Sequence, residues 1–334
     1  MADSPAAGWR TFEVTTRLEI LEPSGVTRAW VPLPLMGDTS YQKRLGDTWD
    51  GNATEPRVWR DPRYDAGLVH AEWPATVKAP VLQVVSRFST LDRSVDLTGP
   101  APARVKDEDL KAFLEATTLL PTGGIVLKTA GEITRGQATD LEKARAIYEW
   151  IVENTFRDPK VRGCGTGDIR TMLETRYLGG KCADLNALFV GLARAAGIPA
   201  REVFGVRVAE SKEFKSLGRT GDVTKAQHCR AEFHDSRRGW VPVDPADVRK
   251  VVLEEPPAGR TLEDPVVQKA RGKLFGAWEM NYLAFNYGHD LKLPGSSSPA
   301  LPFLMYPQCE TAGSRKDSLE PAAFRYAITA RELS

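Results

Sequence analysis

The chain has 334 residues, 42% of them hydrophobic and 27% charged, the profile of an ordinary soluble globular protein with room for two domains. Lys plus Arg (45) nearly cancels Asp plus Glu (44) with no long run of one sign, which argues against nucleic-acid or anionic-membrane binding and favours a peptide, protein or small-molecule partner. No stretch approaches the roughly 18 uninterrupted apolar residues that a membrane helix needs, and residues 1–10 (MADSPAAGWR) lack the apolar core of a secretory signal. As written, the chain is expected in the cytoplasm, and in the periplasm or outside the cell if a leader has been removed. Oligomeric state is not legible.

From Thr11 to Leu21, Phe12, Val14, Leu18 and Ile20 fall on alternate positions, the period of a strand with one buried face. The alternation returns at Leu82, Val84, Ser86 and Phe88, and prolines and glycines punctuate the stretch between. Residues 1–100 are therefore expected to form an all-β, sandwich-like domain. "TGPAPA" (98–103) marks the boundary, and a second domain, 104–334, is expected to be α+β.

That second part opens with Asp107 as a potential N-cap for "DEDLKAFLEAT". Thr139 with Glu142 three residues on forms a capping box for a helix that puts Leu141, Ala144, Tyr148 and Ile151 on one face. "CADLNALFVGLARAAGIPA" carries Leu185, Leu188, Phe189, Leu192 and Ala196 at helical spacing and stops at Gly197. Residues 200–208, 228–233, 239–244 and 324–330 read as strands, the middle two joined by the turn "HDSRRG". The charge-rich stretch 209–226 is either a solvated insertion or a fringe of a cleft. Trp278, Tyr282, Phe285 and Tyr287 read either as a substrate-facing aromatic wall or as core, and the helical spacing of the first three favours core.

Four cysteines, Cys164, Cys182, Cys229 and Cys309, are too few and too scattered for a disulfide framework or structural zinc. Cys182, in "GGKCADLN", has four open readings: nucleophile, metal ligand, disulfide half or core filling. At a helix start a thiol meets the positive end of the dipole and unpaired N–H groups, which favour the thiolate. Gly179 and Gly180 would let the backbone approach a substrate closely. A thiolate nucleophile needs an imidazole and a third group to orient it. Alternation puts His228, Arg230 and Glu232 on one strand face, and Asp244, ending the next strand, can lie beside His228. His234 and His289 are rivals that lack a following strand ending in a carboxylate. Cys164, between glycines in "RGCGTGD", would line the cleft or be an ordinary loop thiol, and Cys229 faces the apolar side.

With "GGKCADLNALFVGLARAAGIPAREVFGVRV" followed by "HCRAEF" and "GWVPVDP", the chain resembles the bacterial branch of the transglutaminase-like (papain-like) superfamily over roughly residues 140–250. The strand-rich start, with "TTRLEI" and "TRAWVPLP", is similar to the β-domain that often precedes this core. The resemblance implies a Cys182, His228, Asp244 triad. Cys182 would attack an amide carbonyl to give a thioester, which water or an amine then resolves. It thus implies a cysteine amidase or peptidase acting on a peptide or protein amide. The alternatives are a protein-glutamine transamidase and a non-catalytic peptide-binding module. The oxyanion would rest on the Cys182 N–H and one further donor, with Tyr177 as a candidate, each such donor contributing about 3 to 4 kcal/mol. Arg230 departs from the family's aromatic residue two places after the histidine and would alter the polarity of the cleft. No cofactor and no metal is expected, since no DxDxDG-type acidic loop supports calcium.

Overall fold

The computed structural model describes residues 8–64, 66–98 and 107–333. The architecture is α+β, as the sequence patterning indicates. Two five-stranded antiparallel sheets make a sandwich, and a four-stranded antiparallel sheet covered by helices makes the second unit.

The strand Arg10–Ile20 shows why alternation was a sound guide. Phe12, Val14, Leu18 and Ile20 are buried. It pairs on one side with Val81–Thr90, whose Leu82, Val84 and Phe88 are also buried. Its other neighbour is Phe324–Leu333, in register from Thr11 opposite Leu333 to Ile20 opposite Phe324. The second sheet likewise takes Gln308–Thr311 and Ser314–Arg315 from near the chain's end, beside Thr27–Pro32, Gly67–Trp73 and Thr54–Arg60. Leu18, Val31, Val69, Trp73, Leu82 and Phe324 fill the space between the two sheets.

This pairing corrects the expected division into 1–100 and 104–334. The sandwich is built from both ends of the chain, and strand 324–333 belongs to it rather than to the α+β sheet. The seam at residues 98–103 falls almost wholly outside the described residues, as do residues 1–7 of the stretch searched for a signal segment.

The helices are α1 (Gly124–Ile133), α2 (Asp140–Asn154), α3 (Ile169–Thr175), α4 (Cys182–Ala195), α5 (Pro245–Glu254) and α6 (Pro265–Lys273). None is long and apolar enough to cross a membrane. The capping box forms at α2: the Glu142 N–H donates to Thr139 Oγ1 (3.2 Å) and the Thr139 N–H to Glu142 Oε2 (2.9 Å). Residues 107–113 form a 3-10 turn rather than the longer helix expected there.

The α+β sheet runs in the order Gly239–Val243, Gln227–Asp235, Ala200–Arg207, Tyr282–Asn286. Helix α4 lies against it, with every residue from Cys182 to Arg194 buried. The sheet's other face meets the sandwich, where Val206, Leu283 and Phe285 pack on Phe12, Val14 and Phe88. The strand Tyr282–Asn286, covered on both faces, carries no polar alternation to read. That is why Trp278, Tyr282 and Phe285, which are core as expected, mimic a helix: all of Tyr282–Asn286 is a buried strand.

Candidate active site

The start of α4 is set by its neighbours rather than by its own composition. Asp184, three residues into the turn, accepts the N–H groups of Lys181 (2.9 Å), Thr166 (2.9 Å) and Gly167 (3.0 Å). One carboxylate thus ties the loop 164–167 to the helix that carries Cys182. The Ala183 N–H adds a bond to the Cys164 carbonyl (2.9 Å). A β-carbon on Gly165, at φ +100°, would fall 1.9 Å from an Asp184 oxygen, so this loop needs glycine in a left-handed conformation.

Gly179 and Gly180 serve the same packing. Added β-carbons would meet the Phe156 ring at 2.3 Å and Asp184 Cβ at 2.5 Å. Their role is close approach within the fold, which corrects the expectation of close approach to a substrate. Asp184→Ala should strand three N–H donors, two of them in the loop, and cost about 1 to 3 kcal/mol. Urea denaturation of the folded chain measures it.

Cys182 opens the helix as its first residue, and its backbone N–H makes no hydrogen bond among the described residues. The side chain is buried, yet the thiol is held well below its ordinary range. The neighbouring Cys164 and Cys229 thiols favour the thiolate against the cost of burial, and the charge of His228 acts in the same direction. The Cys164 and Cys229 thiols are pushed up correspondingly. All four cysteines are free.

His228 reaches Asp244 Oδ2 through Nε2 at 2.7 Å. That leaves Nδ1 as the nitrogen available to Cys182, which lines the same cleft. Burial alone would lower the imidazole, but the charges of Asp247 and Asp244 and the Asp244 hydrogen bond outweigh it and hold His228 above its usual value. Asp244 also caps α5: its Oδ1 accepts the Asp247 N–H (3.0 Å) and Asn186 Nδ2 (3.1 Å). Pro245 at the first helical position suits a missing donor there. Cys182, His228 and Asp244 thus come from a helix start, a central strand and a strand-to-helix corner, and they meet at one place.

Behind this line sits a second buried pair absent from the sequence reading. Arg207 Nη2 lies 2.6 and 2.7 Å from the two Asp247 oxygens, and both side chains are almost completely shielded. Asp247 Oδ1 is 3.5 Å from His228 Nε2. The "DPAD" spacing, with Asp at the cap, Pro at the first position and Asp at the third, was the available signal. Asp247→Ala leaves the Arg207 charge buried without its partner, and a loss of about 3 to 5 kcal/mol is expected. Equilibrium unfolding against Arg207→Met/Asp247→Leu, which removes both charges and should recover much of the loss, checks this.

One atom each of His228, Asp244 and Asp247 lies within a 4.8 Å span. The set does not suit a cation: Arg207 engages both Asp247 oxygens, and the His228 nitrogen in the group is bonded to Asp244.

The remaining expectations divide. Cys164 lines the cleft beside Cys182, its Sγ 3.3 Å from the Gln227 carbonyl and its N–H donating to the Tyr306 hydroxyl (2.9 Å). Tyr177 does not line it. That ring is 53% exposed and its hydroxyl donates to Asp158 (2.7 Å), which corrects its placing as an oxyanion donor. Arg230 is buried behind Asp244, with Nε 3.8 Å from Asp244 Oδ2 and Nη1 donating to the Glu279 carbonyl (2.9 Å). Its guanidinium stands 4.5 Å from the Tyr282 ring centroid. Arg230 therefore bears on Asp244 from behind instead of setting the polarity of the cleft wall, a second correction. His289 is buried 3.3 Å from Glu202, and burial pushes it down to about 3. Tyr282 is not part of the cleft lining; its hydroxyl lies 2.8 Å from the His228 carbonyl and fixes the strand that carries the imidazole.

The chain is similar to known proteins over this region and beyond it. Residues 127–245 match the model of the transglutaminase-like superfamily. An uncharacterized protein of Haemophilus influenzae is 35% identical over 342 residues, covering 96% of this chain and 91% of that protein. The crystal structure of a candidate cysteine protease from Cytophaga hutchinsonii superposes with a TM-score of 0.61 at 13% identity, covering 98% of this chain and 92% of that one. It shares the fold across both units.

Proposed function

Because the chain belongs to the transglutaminase-like superfamily, we propose that it is a cysteine-dependent amidase or peptidase working through a thioester. The observation that carries this reading is the convergence of a helix-initial thiol held low with an imidazole bonded at 2.7 Å to a buried carboxylate. Structural thiols have no need of such a partner; nucleophiles do.

The Cys182 thiolate attacks the amide carbonyl and forms a C–S bond. The tetrahedral oxyanion is met by the Cys182 N–H, which has no other acceptor among the described residues. As the C–N bond breaks, the imidazolium of His228 gives its proton to the departing amine, leaving a thioester and a neutral imidazole. Water, deprotonated by that imidazole, forms a C–O bond at the thioester carbonyl, and the C–S bond breaks to release the acid and restore the Cys182 thiolate beside a protonated His228. An amine in place of water would give transamidation instead. Asp244 fixes the ring and stabilises its charged form throughout.

The test is a glutamine-containing peptide with and without an added primary amine, followed by mass spectrometry and ammonia release. Hydrolysis or cleavage by the wild type with no incorporated amine is the expected result. Amine incorporation would move the function to transamidation, and no turnover of any amide would favour a peptide-binding module.

A further inference from the structure

The cleft in front of Cys182 and His228 encloses about 590 Å³, and its lining is one-sided in charge. Arg157, Arg162, Lys181, Arg219, Lys225 and Lys250 all line it, with Arg207 at its back, and Glu254 is the one acidic residue of the lining among the described residues. The whole chain is balanced at 45 basic to 44 acidic residues, so composition does not account for this concentration.

Part of the charge is compensated within the protein. Glu254 pairs with Arg157 and lies 3.7 Å from Lys250. Asp317 holds Arg162 at 2.5 Å, and Asp247 holds Arg207. Lys181, Arg219 and Lys225 have no carboxylate within 4.0 Å among the described residues. The Arg219 side chain donates to the Asp222 carbonyl (2.8 Å). These three flank the reacting groups: Lys181 directly precedes Cys182, and Lys225 stands three residues before His228. The rest of the wall mixes polar side chains, Ser216, Thr224, Gln227 and Ser318, with an apolar and aromatic stretch, Leu319, Pro321, Phe324 and Tyr326, that leads into the sandwich strand.

We infer that the substrate is an acidic peptide, carrying Asp or Glu side chains on both sides of the amide that Cys182 attacks. The inference rests on the proposed function for the identity of the reacting bond, but the charge of the cleft stands independently. Asp158 acts on Lys181, and Asp222 on Arg219 and Lys225, only from beyond ion-pair distance, and low-dielectric walls lined by an excess of cations concentrate anions and steer them in. The apolar wall serves the peptide's backbone and neutral side chains.

The full chain carrying Cys182→Ala is titrated with three fluorescent peptides that share a central glutamine and differ only in flanking Glu, Gln or Lys. At low salt, about 50 mM, the Glu peptide should bind about ten-fold or more tightly than the Gln peptide, and the Lys peptide least. The advantage should shrink at about 300 mM salt. Arg219→Gln/Lys225→Gln in the same background should lose most of it, while Arg219→Lys/Lys225→Arg keeps it. Equal binding of the three peptides, or a preference for Lys, overturns the inference. The readout needs no turnover. Acidic selectivity in a protein that cleaves nothing would therefore overturn the amidase reading alone, and turnover without selectivity would overturn this inference alone.

Discussion

Cys182→Ala is expected to lower amide turnover by about 10⁴- to 10⁶-fold, the scale on which loss of a covalent nucleophile acts in enzymes of this logic. The neighbouring thiols offer no substitute. Cys164 and Cys229 touch the same sulfur, but their thiols are pushed up by that contact and by burial, so the anion is held on Cys182. The same asymmetry predicts that a limiting amount of iodoacetamide at neutral pH alkylates Cys182 first in the wild type. The Ala variant should take up almost none over the same interval. Equal labelling of all four cysteines, or residual turnover within a factor of about ten of wild type, would be incompatible with the assignment.

Asp244→Asn should be nearly as damaging, at about 10³- to 10⁴-fold, for a reason that geometry makes specific. Asp244 accepts on both oxygens: Oδ2 from His228, Oδ1 from the Asp247 N–H and Asn186. An asparagine that keeps its oxygen on the helix cap turns its NH₂ toward His228. Nε2 must then accept, which sends the ring proton to Nδ1, the nitrogen facing Cys182, and the imidazole can no longer take a proton there. The pH dependence should move as well. The Asp247 and Asp244 charges hold His228 above its ordinary value, so the imidazolium persists until the pH rises through that raised value. Removing one negative charge lowers it, and the alkaline limb of kcat/KM should shift to lower pH. A normal rate and an unmoved limb in Asp244→Asn would remove Asp244 from the mechanism.

Much of this site could be read from the chain. A cysteine at the first turn of an apolar helix, a histidine on the polar side of a strand and an aspartate at the next strand's end each leave a local pattern. Asp247, Arg207 and Asn186 left none that named a role. Arg207 looks like one polar position in a buried strand, and its meaning comes from a carboxylate forty residues away that becomes its partner only when α5 folds back. Tyr177 misled for the same reason: nearness to Cys182 in sequence gave no information about where the short turn after α3 sends the ring.

The fold was legible to the same depth. The sequence marked a strand at 324–330, but nothing local could say that its neighbour is Arg10–Ile20, more than three hundred residues earlier. Gly179 and Gly180 carried a true signal, the need for close approach, while concealing its object: the Phe156 ring and Asp184.

The central claim is that Cys182 becomes covalently acylated during turnover. Mixing the wild type with an activated acyl-glutamine substrate, quenching in acid within the first turnover and mapping peptides by mass spectrometry tests it directly. The expected result is one acyl group, on the peptide containing Cys182 alone, absent from Cys182→Ala and accumulating in proportion to enzyme. An acyl group on Cys164, Cys229 or Cys309, or turnover with no acylated cysteine at any time, would contradict it.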